Sequence, residues 1–298
     1  MRENAIKESI SRKIFIVFNT LFLLFIGIIC FYPMWYVVCA SFSDPMRLMA
    51  TDGLLWHPLS FTFTAYKTVL KTKLVWSGYL NTFIIIILGV AINMAMTTLA
   101  AYFFSRKGLM HSKKLFFIVL FTMFFNGGIV PTYLMIKWMG LLDNLLVLIL
   151  PAAISTNNMI ILRTAFYNVP DSLEEAARID GASHVVILTK VIMPLILPTM
   201  AVIGLYYGVN HWNSWFNASI YITNRRLYPL QLVLRELLIS QDSALMSEAM
   251  EAEMAKKAML SETVKYCTIT VATIPILCIY PFLQKYFIKG VMVGAVKE

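Results

Sequence analysis

The sequence predicts an all-α polytopic membrane protein, and three observations carry that prediction. Hydrophobic residues make up 59% of the 298-residue chain and charged residues only 14%, where a soluble domain carries about 25% charged residues. Mean hydropathy is +0.73. Apolar runs of about 20 residues, the length that crosses a hydrocarbon core as a helix, recur along the chain. The alternating segments of about ten residues that mark a transmembrane barrel do not occur.

Six spans are expected, near Ile14–Ala40, Gly78–Phe104, Leu115–Ile136, Leu145–Leu162, Leu195–Trp212 and Tyr266–Leu283. The first follows "MRENAIKESISRK". Its apolar stretch is too long for a signal-peptide core, and "YVVCA" puts bulky valines before the cysteine, against lipoprotein cleavage. An uncleaved first span is therefore expected. Pro33, Pro131, Pro151 and Pro275 fall inside spans. There they should kink or break helices, which neighbouring helices tolerate.

Orientation follows from short basic flanks. Arg12 and Lys13 precede span one. Arg106, Lys107, Lys113 and Lys114 lie between spans two and three, and Lys285 and Lys289 follow span six. Six crossings put all of these on one side, which is then cytoplasmic, with both termini inside. The expected division is a cytoplasmic segment 1–13, a transmembrane domain 14–288 and a cytoplasmic tail 289–298. Outer loops span 41–77 and 213–265, and a cytoplasmic loop spans 170–193. The outer loops also hold basic residues, Lys71 and Arg226 among them, but long loops orient weakly. The formal charge of +9 is read as these flanks, not as a nucleic-acid surface.

The second outer loop contains "SALMSEAMEAEMAKKAM". Met246, Met250, Met254 and Ala258 recur every four residues, and Glu253 stands four before Lys257, a favourable helical pair. An amphipathic helix is expected there. It could be a lid on the membrane or bundle, or a contact for an external partner.

Enzymatic signatures are missing. The chain has no Walker A pattern, no H-E-x-x-H and no G-x-S-x-G. Its histidines are scattered, and Cys30, Cys39, Cys267 and Cys278 lack metal-ligand spacing. No catalytic residue, metal or bound cofactor is expected. The span centres also lack the ionisable groups of a proton-coupled transporter. Neutral polar residues do interrupt the spans: Asn126 in "FFNGGIVP", Asn157 and Asn158 in "AISTNNMII", and Asn210 before His211-Trp212. These asparagines either bond between helices or line a path for a polar solute. His211-Trp212 fits an aromatic belt.

The stretch "NVPDSLEEAARIDGASHVVILTKVIMP" stands apart from the lipid-like sequence around it. Ser172 and Glu175 have capping-box spacing, and Glu174 and Glu175 suit a first turn. Gly181 is placed to end that helix in a left-handed conformation. A second helical piece presents Val185, Leu188 and Ile192 on one face before Pro194. Ala176 and Ala177 keep the first helix slim, a shape for docking, though a solvated connector would show the same periodicity.

The spacing from Glu175, Ala176 and Ala177 to Gly181, then Val191, Met193 and Pro194, resembles the loop signature of ABC importer permeases. Asp180 and Ala182 fit the carbohydrate-uptake branch. Val191 and Met193 depart from the usual isoleucine and leucine. "LQKYFIKGVMVGAVKE" resembles the tail of maltose-type permeases, while "FFNGGIVPTYLMI", "NHWNSWFNASIY" and "LYPLQLVLRELL" resemble the LplC-type subgroup. The likeness runs from Tyr79 to Glu298. It implies a type I importer permease fold in the cell membrane of a Gram-positive bacterium. It further implies a second homologous permease, two ATP-binding subunits that hold ATP and Mg, and an extracellular solute-binding lipoprotein. The implied substrate is a carbohydrate, an oligosaccharide or polysaccharide fragment. Glu174, Glu175, Ala176, Ala177, Asp180, Gly181, Ala182 and Pro194 would form the ATPase-coupling loop, and Asn126, Asn157, Asn158 and Asn210 are candidates for the substrate path. The alternatives are a stand-alone secondary transporter or channel, and a membrane-embedded enzyme without a visible catalytic constellation.

Overall fold

The computed structural model describes residues 9–51, 53–106, 110–125, 127–245, 263–279 and 281. Among these, every regular element is helical. The chain divides into two compact units, Met1–Lys71 with Leu237–Val271, and Thr72–Glu236 with Ala272–Glu298.

In the first unit, α1 (Ile10–Ser41) is 32 residues long, about 48 Å at 1.5 Å per residue and ample for a hydrocarbon core of about 30 Å. Its apolar window is not buried within the chain at all. Its last turn differs: Cys39 and Ala40 join Leu48 and Leu55 in a small core. Asp44 then caps α2 (Pro45–Met49), accepting from the Met46 and Arg47 N–H groups, and Pro45 occupies the first helical position, where its missing N–H is harmless. Ser43 Oγ donates to the Cys39 carbonyl at 2.7 Å and accepts from the Leu59 N–H at 2.9 Å. Phe42 stacks on Phe61 and on Tyr66 of α3 (Thr64–Lys71). The segment expected as the first outer loop is thus packed, and the helix after it starts at Lys73 rather than Gly78.

That helix, α4 (Lys73–Ser105), is the axis of the second unit. The third and fourth expected spans are broken, while the fifth (Leu195–Trp212) is a continuous helix from Leu197, entered through a sharp bend. The third divides into α5 (Ser112–Phe124) and α6 (Ile129–Trp138), with Gly128 between them at a φ of 85°. The fourth begins as short 3₁₀ turns at Leu145–Leu148 and Leu150–Ala152. It then bends by 51° into α7 (Thr156–Tyr167). After α8 (Asp171–Ile179), α9 (His184–Leu195) bends by 88° into α10 (Leu197–Trp212). Pro194 and Pro198 explain the second bend, since neither can donate a helical N–H. Short α11 (Phe216–Tyr221) and longer α12 (Leu230–Leu245) follow. α13 (Thr263–Ile279) opens the sixth expected span. The Met246–Ala258 segment, Lys107, Lys285, Lys289 and the tail 289–298 lie outside the described residues.

Polar side chains on α4 and α10 repair the break before α7. A bend inside an apolar bundle frees backbone groups that no water can satisfy. Asn93 Nδ2 donates to the Ala152 and Ala153 carbonyls at 2.6 and 3.0 Å. The Tyr207 hydroxyl accepts from the Ser155 N–H at 2.9 Å and pairs with Thr97 Oγ1 at 2.6 Å. Nearer the start of α4, Asn81 Nδ2 donates to the Arg226 and Tyr228 carbonyls. The backbones of α4 and α12 touch at Gly78, where an added Cβ would lie 3.1 Å from Leu230 Cα. The core around the far end of α4 joins Ala101 and Tyr102 to Leu162, Phe166, Ile187 and Ile192.

Candidate functional site

The site is built on α8, at the end of the second unit where α4 and α7 both terminate. The expected capping box is not formed: α8 starts at Asp171, with Pro170 as N-cap and no side-chain cap. Pro170, with its fixed φ, makes the entry, so Ser172 lies inside the helix. The acidic residues of the first turn are Asp171 and Glu174, not Glu174 and Glu175.

The helix ends as the sequence predicts. Gly181 has a φ of 78°. Its N–H donates to the Arg178 carbonyl at 3.0 Å, and the Ala182 N–H donates back to the Ala177 carbonyl at 2.9 Å. These two bonds form a Schellman motif, which satisfies carbonyls the helix would otherwise leave open. Beyond the turn, Ser183 caps α9, accepting from the Val186 N–H. Residues Ile187–Ile192 then widen into a π-helix. This changes the expected buried face. Ile187 and Ile192, five apart, are fully buried with Leu188, whereas Val185 is 69% exposed, because π winding aligns residues five apart.

The outward surface of α8 carries Glu175, Ala176, Asp180 and Ile179, the last 87% exposed. Ala177 and Ala182 pack partly inward against the core, and Pro194 is exposed at the end of α9. Glu174 faces the other way and is only 8% exposed. Its Oε1 accepts from Arg178 at 2.6 Å, and its Oε2 is paired with Arg106. Arg106 also donates to Ser105 Oγ at 3.0 Å and to the Phe166 carbonyl at 3.2 Å, and its guanidinium lies 4.9 Å from the centre of the Tyr102 ring. A cleft of about 210 Å³ opens beside them, lined by Ser105, Arg106, Asp171, Glu174, Glu175 and Arg178.

The candidate path residues differ in exposure. Asn157 is exposed and Asn158 buried on α7, and Asn210 is exposed on α10. Asn126 lies outside the described residues. His211 and Trp212 are buried, with His211 Nε2 donating to Asn93 Oδ1 at 2.7 Å. They are packing residues here, not a belt at the lipid surface. Sequence reasoning gave no site role to Arg106, Arg178 or Asn93. The four-residue spacing of Glu174 and Arg178 was available as a signal. Arg106, 68 residues from Glu174, offered none. Among the described residues, no group of three or more His, Cys, Asp or Glu side chains is placed to hold a metal ion.

Comparison with known proteins gives this geometry a family. Residues 114–293 match the family described as "Binding-protein-dependent transport system inner membrane component". The polygalacturonan/rhamnogalacturonan transport system permease protein YtcP of Bacillus subtilis (strain 168) is 39% identical over 280 residues, covering 93% of this chain and 96% of that protein. Protein LplC of the same organism is 37% identical over 286 residues, covering 96% and 95%. A chain in the crystal structure of a bacterial ABC transporter involved in the import of the acidic polysaccharide alginate superposes with a TM-score of 0.85. It is 31% identical, with 95% of this chain and 100% of that one covered. The chain therefore belongs to the binding-protein-dependent transport system inner membrane components, the non-catalytic permease subunits of ABC importers, whose ATP hydrolysis resides in partner subunits.

Proposed function

We propose that this chain and a second homologous permease form the path by which an oligosaccharide or polysaccharide fragment enters a Gram-positive cell. Two ATP-binding subunits sit on the cytoplasmic side, and an extracellular solute-binding lipoprotein delivers the sugar. The chain needs no cofactor of its own, since ATP and Mg²⁺ are bound by the partners. It lies in the cell membrane with six spans, both termini inside, and the 170–193 loop is the coupling element.

The observation that carries the coupling reading is the build of α8: a nine-residue helix, stopped sharply at Gly181, that turns Glu175, Ala176 and Ile179 outward. Small residues let a cleft approach the helix backbone, and Ile179 offers apolar area to a partner. Geometry along α4 agrees with this. Asn81 lies toward the start of α4 and Arg106 just past its end, a separation of about 38 Å along the helix axis. The substrate reading rests on the relatives named for polygalacturonan, rhamnogalacturonan and alginate transport.

The test is reconstitution of the complete transporter with Glu175→Lys or Gly181→Arg. Both variants should insert normally, because α8 lies outside the spans. Both should lose the ATPase stimulation given by the loaded binding protein, or lose the ATP-binding subunits altogether. Near-normal stimulated ATPase activity in the Gly181→Arg complex would refute the coupling mechanism. Galacturonate oligomers, alginate oligomers and neutral oligosaccharides, offered separately to the native complex, should give stimulation with one class only.

A further inference from the structure

We propose that Arg106 is a positioning residue that makes α8, α4 and α7 one mechanical body, and that Glu174 serves this internal joint while Glu175 faces the partner. The inference rests on the coupling reading and adds how force would leave the loop.

Arg106 stands just past α4 with an extended backbone, φ −78° and ψ 137°, so its side chain departs from the helix. A guanidinium carries five N–H donors in a rigid fork and can serve several acceptors at once. Here it does so on three elements. Nε donates to Ser105 Oγ at the end of α4, one terminal nitrogen to the Phe166 carbonyl in the last turn of α7, and the other to Glu174 of α8. The Tyr102 ring flanks the cation from α4. Both Glu174 oxygens are engaged, the second by Arg178 one turn along α8.

Burial separates this joint from an ordinary surface ion pair. The Arg106 and Glu174 side chains are 15% and 11% exposed, so solvent and salt screen the pair weakly. The helix is also held by its covalent ends, and Ala177 and Ala182 pack against the core. Residues 168–170 and the Gly181 turn flank it, and turns are where displacement is absorbed first. A push on α8 without Arg106 would be taken up in those turns. With Arg106, it reaches the ends of α4 and α7 together. Two adjacent glutamates are thus divided in role by the face of the helix on which each lies.

The experiment reads rigidity directly. Spin labels are placed at exposed Ser172 on α8 and exposed Leu88 on α4, after replacement of the four native cysteines. The distance is measured by pulsed electron paramagnetic resonance in the full complex, nucleotide-free and trapped with ATP and vanadate. The expected result is one narrow distance, unchanged by trapping. Arg106→Gln should broaden that distribution and shift it on trapping. Arg106→Lys should broaden it too, since one ammonium cannot span Glu174 and the Phe166 carbonyl with the same geometry. The lysine variant keeps the charge, so it serves if Arg106→Gln does not assemble. The proposal is overturned if α8 moves against α4 in the native complex on trapping, or if the assembled variants keep the native distance in both states. Failure of the docking reading shows separately, as Gly181→Arg complexes that still couple.

Discussion

The His211 ring lies so close over Gly89 that a Cβ on the glycine would sit 2.5 Å from Nε2. Only a residue without a side chain lets α4 and α10 approach this closely. The ring cannot easily yield, because His211 is 2% exposed and Nε2 donates to buried Asn93. Gly89→Ala must therefore break the Asn93 bond or part the helices, at about 1–3 kcal/mol for an overpacked core. The check is thermal unfolding of the detergent-solubilised complex. The same substitution in a His211→Ala background should cost much less, giving a clear coupling energy in a double-mutant cycle.

Asn93 and Asn157 should behave in opposite ways. Asn93→Leu strands the Ala152 and Ala153 carbonyls at the bend before α7, at about 1–3 kcal/mol for each group left without a donor. Little assembled complex should survive mild heating. Asn157 is exposed on α7, so Asn157→Leu should assemble normally. If it faces the path, sugar-stimulated uptake should still fall, because a saccharide loses a donor and an acceptor. Normal uptake by assembled Asn157→Leu would assign that residue to lipid or to packing.

These cases show which parts of the protein were legible in the sequence. Long apolar runs gave α1 and α4, because span length is a local property. Gly181 was legible because a left-handed C-terminus selects glycine within a few residues. The capping box failed because Pro170 fixes the entry to α8 by itself, leaving Ser172 and Glu175 no capping role. Prolines marked the third and fourth spans for a kink or a break, but not which of the two each would be. For Pro151 that depends on distant partners, Asn93 donating to the Ala152 and Ala153 carbonyls and Tyr207 accepting from the Ser155 N–H. Arg106 was legible only as a charge beside the membrane, since its partners lie on α7 and α8.

Asp143 gives a pH prediction outside the spans. Its carboxylate accepts from the Thr223 and Asn224 N–H groups at 2.6 and 2.9 Å. Those two backbone bonds, Asn224's the stronger influence, hold its pKa below the ordinary carboxylate value. A depressed folded pKa adds stability that is fully present above the unfolded value of about 3.9 and lost as pH falls through the folded one. The contact between the Asp143 turn and the Tyr221–Asn224 segment should thus hold from neutral pH down to that range and weaken only in stronger acid. Asp143→Asn should remove this acid-side dependence, read as hydrogen exchange at the Thr223 and Asn224 amides across pH.

Topology has its own test. With six crossings, Lys71 at the end of α3 lies outside and Asp180 at the end of α8 lies inside. A reporter active only in the cytoplasm should work when fused after Asp180 and fail after Lys71. A reporter active only outside should do the reverse. An extracellular Asp180 would remove α8 from reach of any ATP-binding subunit.

The turn at Gly181 separates backbone strain from steric fit. Nothing lies within 4 Å of a Cβ added there, so Gly181→Ala meets no clash. It does meet the φ of 78°, where an L-residue pays about 1–2 kcal/mol and asparagine pays less because it tolerates the left-handed region. The strain can be relieved only by opening the Schellman bonds, above all that from the Ala182 N–H to the Ala177 carbonyl. Exchange of the Ala182 amide should therefore rise in the order Gly, Asn, Ala, Val at position 181. Stimulated ATPase activity should fall in the same order if the turn's geometry is what the partner reads. An alanine variant that frees the Ala182 amide yet keeps full stimulated activity would show that α8 docks without its bend. Coupling would then rest on the exposed face of Glu175, Ala176 and Ile179 alone.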